Sequence, residues 1–439
     1  MASSVLHIKD AYYFDVPKFL WTSHRQSKRD FPDVWIRLDP DFQLWEARRL
    51  YDGFLKGVDE APAWPELRKA YLRWKQEPGN FGKPLDVMLE EHLEQAKAAY
   101  QGWLAADPAR AGVSFVEFLN RTQPAYSWFS LQMQDRDFTI AWKLARHSAG
   151  DVEQYKQLPQ EWSAEKIEAY NQRLHGKILI PQPFGELRNL YEPESGFCIS
   201  KFMVVEFGVA LVLLFVFWRL GKKIATGGPP RGRWWNLLEA FLIYLRDDVA
   251  KPAMGEHDAP RFLPLIWTTF MFVLVCNLCG LLPWVGTPTG SFGVTSGLAA
   301  VTFATGIVCG MRRFGPLGYF TNQVPHMELP LVMAVFIKPM ILAIEVLGTC
   351  IRHAVLAIRL LANMVAGHLV LLGIMGLAFG ATAALAFAGK PEWQWWMTAG
   401  IAVVSSTLFS LLELLVAFIQ AYIFAFLSAL FIGAAIHHH

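Results

Sequence analysis

Hydrophobic and polar positions divide this chain of 439 residues at about residue 200. Before that point apolar residues recur at helical spacing among many charged ones. Leu85, Met88, Leu89, Leu93, Ala96 and Tyr100 mark one face of an amphipathic helix over Pro84 to Ala106. Ser163 has the chemistry of an N-cap for a second helix, through AEKIEAYNQRLHGKIL. Beyond residue 200 the apolar runs reach the length needed to cross a hydrocarbon core of roughly 30 Å, about 20 helical residues. The first is Phe202 to Leu220. WWNLLEAFLIYLRDDVAKPAMG then reads as an interfacial amphipathic helix, anchored by Trp234 and Trp235, with Arg246, Asp247 and Asp248 facing water. A helical hairpin follows, Leu263 to Pro283 and Val294 to Met311, joined by the uncharged turn VGTPTGSFG. Two long segments close the chain, Leu329 to Phe387 and Met397 to Ile436. The first is too long for one perpendicular span, so it must tilt, break or run partly in the membrane plane, with Gly373, Gly376 and Gly380 as candidate bends. The expected fold is an all-α membrane protein with one N-terminal transmembrane helix, an interfacial helix, a hairpin and two long tilted membrane helices. A polar, mainly helical extramembrane region, residues 1–195, precedes the membrane domain, residues 196–436.

Charge adds orientation to this pattern. Arg219, Lys222, Lys223, Arg231 and Arg233 follow the first span and place its end in the cytoplasm, so residues 1–200 are expected outside. Arg312 and Arg313 close the hairpin on the inner side, which agrees. GKPEWQW is then external and the tail AAIHHH cytoplasmic, its terminal histidines being assigned no role. No basic stretch followed by an apolar core opens the chain, so insertion is expected to begin at the first span. Formal net charge is only +2, which gives no basic surface for nucleic acid and leaves the few charges inside apolar segments as the informative ones. Cys276 and Cys279 form C-x-x-C, but no second ligand pair accompanies them. They read as packing cysteines, with no metal site and no cofactor.

Arg359 lies deep in IRLLANMVAGHLVLLG. A guanidinium keeps its proton there, and at a bilayer centre it costs roughly 3 kcal/mol on insertion scales. At about 100° per residue, Glu345, Arg352, Arg359 and Asn363 fall within a sector of about 60°. His368 is about 13.5 Å further along and on the opposite face. Glu413 and Gln420 share one face of the last segment. If the two segments pack antiparallel with Gln420 level with Arg359, then Glu413 and His368 lie on the same outer side, and Glu345 lies inward. The same charges also suit a buried ion pair that only fixes packing, Arg359 with Glu413. The amides Asn363 and Gln420 equally suit interhelical glue. Glu206 and Lys338 are expected to snorkel or pair locally, and Arg352 to bound an inner aqueous path or neutralise Glu345.

At these residues the sequence resembles subunit a of F-type ATP synthases. IEVLGTCIRHAVLAIRLLANMVAGHLVLL resembles that family's signature helix, and LLELLVAFIQAYIFAFL its last helix. NLCGLLPWVGTPTGSFGVT, RFGPLGYF and RDDVAKPAMG resemble its hairpin, inner loop and interfacial helix, and HIKDAYYFDVP its extramembrane start. The resemblance implies that Arg359 is the essential arginine of the coupling step and that Glu345, Asn363, His368, Glu413 and Gln420 line the proton path, with Arg352 a possible addition. It implies a non-catalytic stator subunit without an ATP-hydrolysis site of its own. The implied partners are a c-ring, subunit b of the peripheral stalk, membrane lipids and protons, and the implied location is a bacterial inner membrane, crossed several times. Residues from about 20 to 175 have no counterpart in the usual pattern and read as an insertion. His353 stands where the family often has proline, and Gly280 where some bacterial members carry an acidic residue. A secondary transporter is the alternative, but its usual internal repeats of broken helices are not found.

Overall fold

A computed structural model describes residues 10–436, apart from 59–60, 78, 81, 108–109, 111, 123, 147–149, 226–231, 283–284, 323–330 and 388–391. Outside the described residues lie the start of HIKDAYYFDVP, Arg231, Pro283, Leu329, the start of GKPEWQW and the terminal histidines. Two compact units are formed, one of Val16–Ile199 and one of Met1–Asp15 with Ser200–His439.

After a short strand, β1 (Tyr13–Asp15), the first unit contains α1 (Asp33–Arg37), α2 (Pro40–Leu50), α3 (Trp64–Trp74), α4 (Leu85–Ala105), α5 (Phe115–Thr122), α6 (Pro124–Gln132), α7 (Arg136–Arg146), α8 (Asp151–Gln157) and α9 (Ala164–Leu174). Pro84 precedes α4 in extended conformation, where a missing N–H costs nothing. Ser163 caps α9 by accepting the Lys166 N–H at 3.3 Å. That helix ends at Leu174, earlier than its sequence pattern suggested, and β2 (Lys177–Leu179) follows. β3 (Gly185–Asn189) and β4 (Glu192–Gly196) pair antiparallel, with Gly185 opposite Gly196 and the register irregular after Glu186. Arg188 and Glu194 bridge the hairpin at 2.6 Å. Tyr71, Met88, Phe129 and Trp142 centre the core of this unit, each almost fully buried.

Charge is concentrated beside that core. A small cleft is lined by Arg37, Glu46, Arg49, Asp86, Arg188 and Glu194, among others. Arg49 pairs with buried Asp151, and Arg37 reaches Glu186 at 2.8 Å. Burial, reinforced by the negative charge of Asp86, pushes the Glu46 carboxyl up to about 8.

The membrane unit starts with α10 (Lys201–Ala225), followed by α11 (Arg233–Tyr244). A wider helical turn, Leu245–Ala250, leads into α12 (Lys251–Gly280). Gly255 interrupts α12 with φ +79°, a conformation open to glycine, so the amphipathic stretch ends there and the hairpin helix begins earlier than Leu263. α13 (Phe292–Phe314) returns, with Arg312 and Arg313 in its last turn, and α14 (Pro316–Asn322) is short. α15 (Leu331–Phe387) and α16 (Glu392–Ile436) are continuous. Helical hydrogen bonding runs through Gly373, Gly376 and Gly380, so none of these breaks α15. A helix of 57 residues spans about 85 Å, well beyond the bilayer core. Among the described residues five helices are long and apolar enough to cross a membrane, and the all-α membrane fold is the observed one.

The core of this unit is built on α12, whose Ile266, Phe270, Val273 and Cys276 are buried against Ala421, Phe424 and Ala425 of α16 and Leu356 and Leu360 of α15. Contact between α12 and α16 is close enough that a Cβ on Gly433 would collide with the Ala253 carbonyl. Cys276 is fully buried, and all five cysteines are free.

Candidate functional site

α15 and α16 run antiparallel, because the pairs that join them advance along one as they retreat along the other. Gln420 Nε2 donates to the main-chain carbonyl of Arg359 at 2.8 Å. Seven residues earlier on α16, Glu413 Oε1 lies 2.9 Å from His368 Nδ1, nine residues later on α15. Arg359 therefore sits level with Gln420, and His368 and Glu413 sit together about 10 to 14 Å along the helices. Glu413 does not pair with Arg359. Among the described residues the half-buried Arg359 guanidinium has no hydrogen-bond or ion-pair partner.

His368 is held from all sides. Nδ1 is 3.1 Å from the Met364 carbonyl as well as beside Glu413. Nε2 lies 3.0 Å from both the Gly280 carbonyl and Thr287 Oγ1. Glu413 is buried, and its Oε1 meets no donor at hydrogen-bonding geometry among the described residues, although the imidazole is close. Gly367 makes room for that carboxylate, since a Cβ there would stand 2.9 Å from Glu413 Oε1. Behind the pair, fully buried Asn277 accepts from Thr289 Oγ1 at 2.8 Å and donates to the Ala417 carbonyl at 3.4 Å.

On the other side of Arg359, Arg352 Nη2 donates to Glu345 at 2.5 Å and to Thr349 Oγ1 at 2.9 Å. Both partners are about half exposed, so this is a solvated pair. The Asn363 side chain is exposed and makes no hydrogen bond among the described residues. Lys338 is exposed, whereas Glu206 Oε1 is buried without a partner among the described residues, contrary to the expected snorkelling or local pairing. His353, in place of a proline, leaves α15 unbroken. Its Nδ1–H donates to the Thr349 carbonyl at 2.9 Å, and its ring lies between Phe303 and Phe431, 5.0 and 4.9 Å from their centroids.

Comparison with known proteins identifies the family. The family model described as ATP synthase A chain matches residues 203–433, just over half of the chain. The chain belongs to the ATP synthase A chain family. ATP synthase subunit a of Myxococcus xanthus is 37% identical over 244 residues, 55% of this chain and 75% of that protein. The subunit a of Chloroherpeton thalassium is 35% identical over 279 residues, covering 62% and 78%. That of Chlorobium phaeobacteroides is 36% identical over 272 residues, covering 60% and 73%. The family match begins inside α10, so the unit of Val16–Ile199 lies outside it.

Within this ATP synthase A chain framework the sequence pattern put His368 and Glu413 on the same side of Arg359, where they meet, and missed the hairpin residues beside them. Gly280, Thr287 and Gly367 touch the His368 and Glu413 pair, yet they stand in turns or on helix faces without periodic signal. One cue was the hydroxyl-rich TPTGS inside an uncharged turn.

Proposed function

We propose that the chain conducts protons through two offset half-channels, as the stator proton-channel subunit of an F-type ATP synthase in a bacterial inner membrane. Family membership supports the stator role, and the unpartnered Arg359 guanidinium is the observation that carries the mechanism. A half-buried cation with no counter-charge among the described residues of its own chain calls for a carboxylate brought by another subunit. The c-ring is that partner in this reading, and subunit b the neighbour in the stalk.

A proton from the outer side reaches the His368 and Glu413 pair. Imidazole suits this position because it titrates near working pH. From there the proton loads a c-ring carboxylate that has moved out of reach of Arg359. Arg359 favours the ionised carboxylate and, as a fixed cation, blocks direct flow between the half-channels. The neutral carboxyl travels through lipid and releases its proton on the side of Glu345, whose pairing with Arg352 keeps an acceptor at that mouth. Gln420 and Asn363 belong to the same central stretch. Each charge crossing 100 mV yields about 2.3 kcal/mol, and several drive one phosphorylation elsewhere in the complex.

In the same reading the N-terminal region, residues 1–195, lies outside the membrane on the periplasmic face with the C-terminus in the cytoplasm. Residues from about 20 to 175 form an insertion, and protease access from each face of membrane vesicles reports its side. Affinity purification of the chain from native membranes tests the main assignment. Recovery of a ring of small two-helix subunits is expected, and purification with a solute-binding partner in place of a ring would overturn it.

A further inference from the structure

His368 is surrounded by acceptors. The Met364 carbonyl and Glu413 face Nδ1, and the Gly280 carbonyl faces Nε2. A carbonyl oxygen has no proton to give, so each nitrogen is well served only while it carries its own hydrogen. The imidazolium satisfies both sides at once. Loss of the Nδ1 proton to Glu413 breaks one N–H bond, forms one O–H bond and leaves two neutral groups, with Nε2–H still on the Gly280 carbonyl and the new Glu413 O–H free to donate back to Nδ1, which otherwise faces the Met364 carbonyl at 3.1 Å. Loss of the Nε2 proton to a water molecule is different. It leaves a ring lone pair pointed at the Gly280 oxygen 3.0 Å away, a repulsive contact in a buried place.

Among the described residues one neighbour relieves that contact. Thr287 Oγ1 stands 3.0 Å from the same Nε2, and a hydroxyl can accept from Nε2–H or turn and donate to the bare nitrogen. Thr287 is 2% exposed, so water does not replace it freely. Its approach depends on the absence of a side chain at residue 280. A Cβ on Gly280 would stand 2.9 Å from Thr287 Oγ1 and would overlap the end of Met364. Among the described residues, Glu413 on α16 is the titratable group facing the ring. α12 offers a carbonyl and the turn before α13 a hydroxyl.

Resting on the proposed proton path, we infer that Thr287 is a positioning residue that makes Nε2 of His368 exchangeable, so that the ring gains and loses protons at both nitrogens. With Nε2 exchangeable, a ring carrying its hydrogen on Nδ1 takes a proton at the bare Nε2 from a hydronium, which becomes water, and the imidazolium then passes its Nδ1 proton to the Glu413 carboxylate, leaving an Nε2–H ring that exchanges its hydrogen with water before the next cycle. Without Thr287 the ring is a store that opens only toward Glu413.

The complete ATP synthase in proteoliposomes tests this, with ATP synthesis driven by an imposed pH gradient and read across a range of outer pH. Thr287→Val is expected to lower the rate about tenfold at equal amounts of assembled complex. The deficit should be largest at alkaline outer pH, where refilling of the ring at Nε2 limits the rate. Thr287→Ser is expected to stay within about twofold of the parent. If the valine chain does not assemble, Thr287→Ala takes its place. Parent-like rates for the hydroxyl-free variant overturn the inference, and so does a serine variant as slow as valine, which would make volume the cause. His368→Ala separates the two levels of argument. If it too runs at the parent rate, the path itself is wrong. If it is slow while Thr287→Val is not, only the role of Thr287 falls.

Discussion

Gln420 holds the helix of Arg359 by its main chain, donating to the Arg359 carbonyl at 2.8 Å and leaving the guanidinium unbonded. The amide thus fixes where the charge sits without neutralising it. Arg359→Ala is expected to abolish proton-driven ATP synthesis while the chain still inserts and assembles. Gln420→Leu removes the tether and keeps the charge, so a loss of several-fold is expected, not abolition. Assembled complex on a native gel and synthesis by the same vesicles check both, and coupled synthesis retained by the arginine-free variant would sink the central assignment.

The pair of His368 and Glu413 makes its own demand on space. Exchanging His368 and Glu413 keeps an acid and an imidazole in contact, so partial activity is expected. Gly367→Ala forces a methyl against Glu413, placed 2.9 Å from its Oε1. Proton entry should slow by about tenfold, the scale of a displaced relay group costing on the order of 1.4 kcal/mol. Synthesis rates under a fixed gradient read this, with Gly373→Ala, which meets nothing within 4 Å, as the neutral control.

Burial raises the Glu46 carboxyl from 4.5 to about 8, so folding favours its protonated form. The sign follows from proton binding. Between those two values the folded chain holds a proton that the unfolded chain has released, so stability falls as pH rises through the window and levels off above about 8, at up to about 1.4 kcal/mol per pH unit. Glu46→Gln should flatten this dependence. Hydrogen exchange at α2 in the full chain, followed from about pH 5 to about pH 9 to bracket that window, would show protection declining in the parent and steady in the variant; equal declines would refute the assignment.

Gly433→Ala drives a methyl into the Ala253 carbonyl and must part α12 from α16. A cost of about 1 to 3 kcal/mol is expected for such overpacking, seen as a lower melting temperature in detergent. Gly297→Ala, with open space around it, should melt like the parent or slightly higher.

Much of this architecture was legible because spacing and length carry it. Apolar length marked the spans, Ser163 and Pro84 marked helix starts, and the seven-residue intervals from Glu345 through Arg352 to Arg359 and from Glu413 to Gln420 put each set on one face. What stayed hidden depends on meetings between elements. Thr287 and Gly280 reach His368 from a loop and a helix end, and neither belongs to a period. β3 and β4 are short and polar, so alternation had no room to show. The break at Gly255 depends on a backbone angle, and the long α15 carries five glycines without breaking because a helix tolerates them at modest cost.

Lys201 N–H donates to the Ala11 carbonyl at 2.7 Å, and Phe202 N–H to the Asp10 carboxylate at 3.3 Å. The chain leaves the membrane unit at Asp15 and re-enters it at Ser200, so its two ends there are fastened side by side. Such a seam is a socket. Closing a flexible loop costs only about 0.6 kcal/mol more for each doubling of its length, so what is plugged between those ends is nearly free to vary in size. Evolution, or an engineer with a reporter domain, can exchange the cargo at this point while the membrane machinery keeps its register.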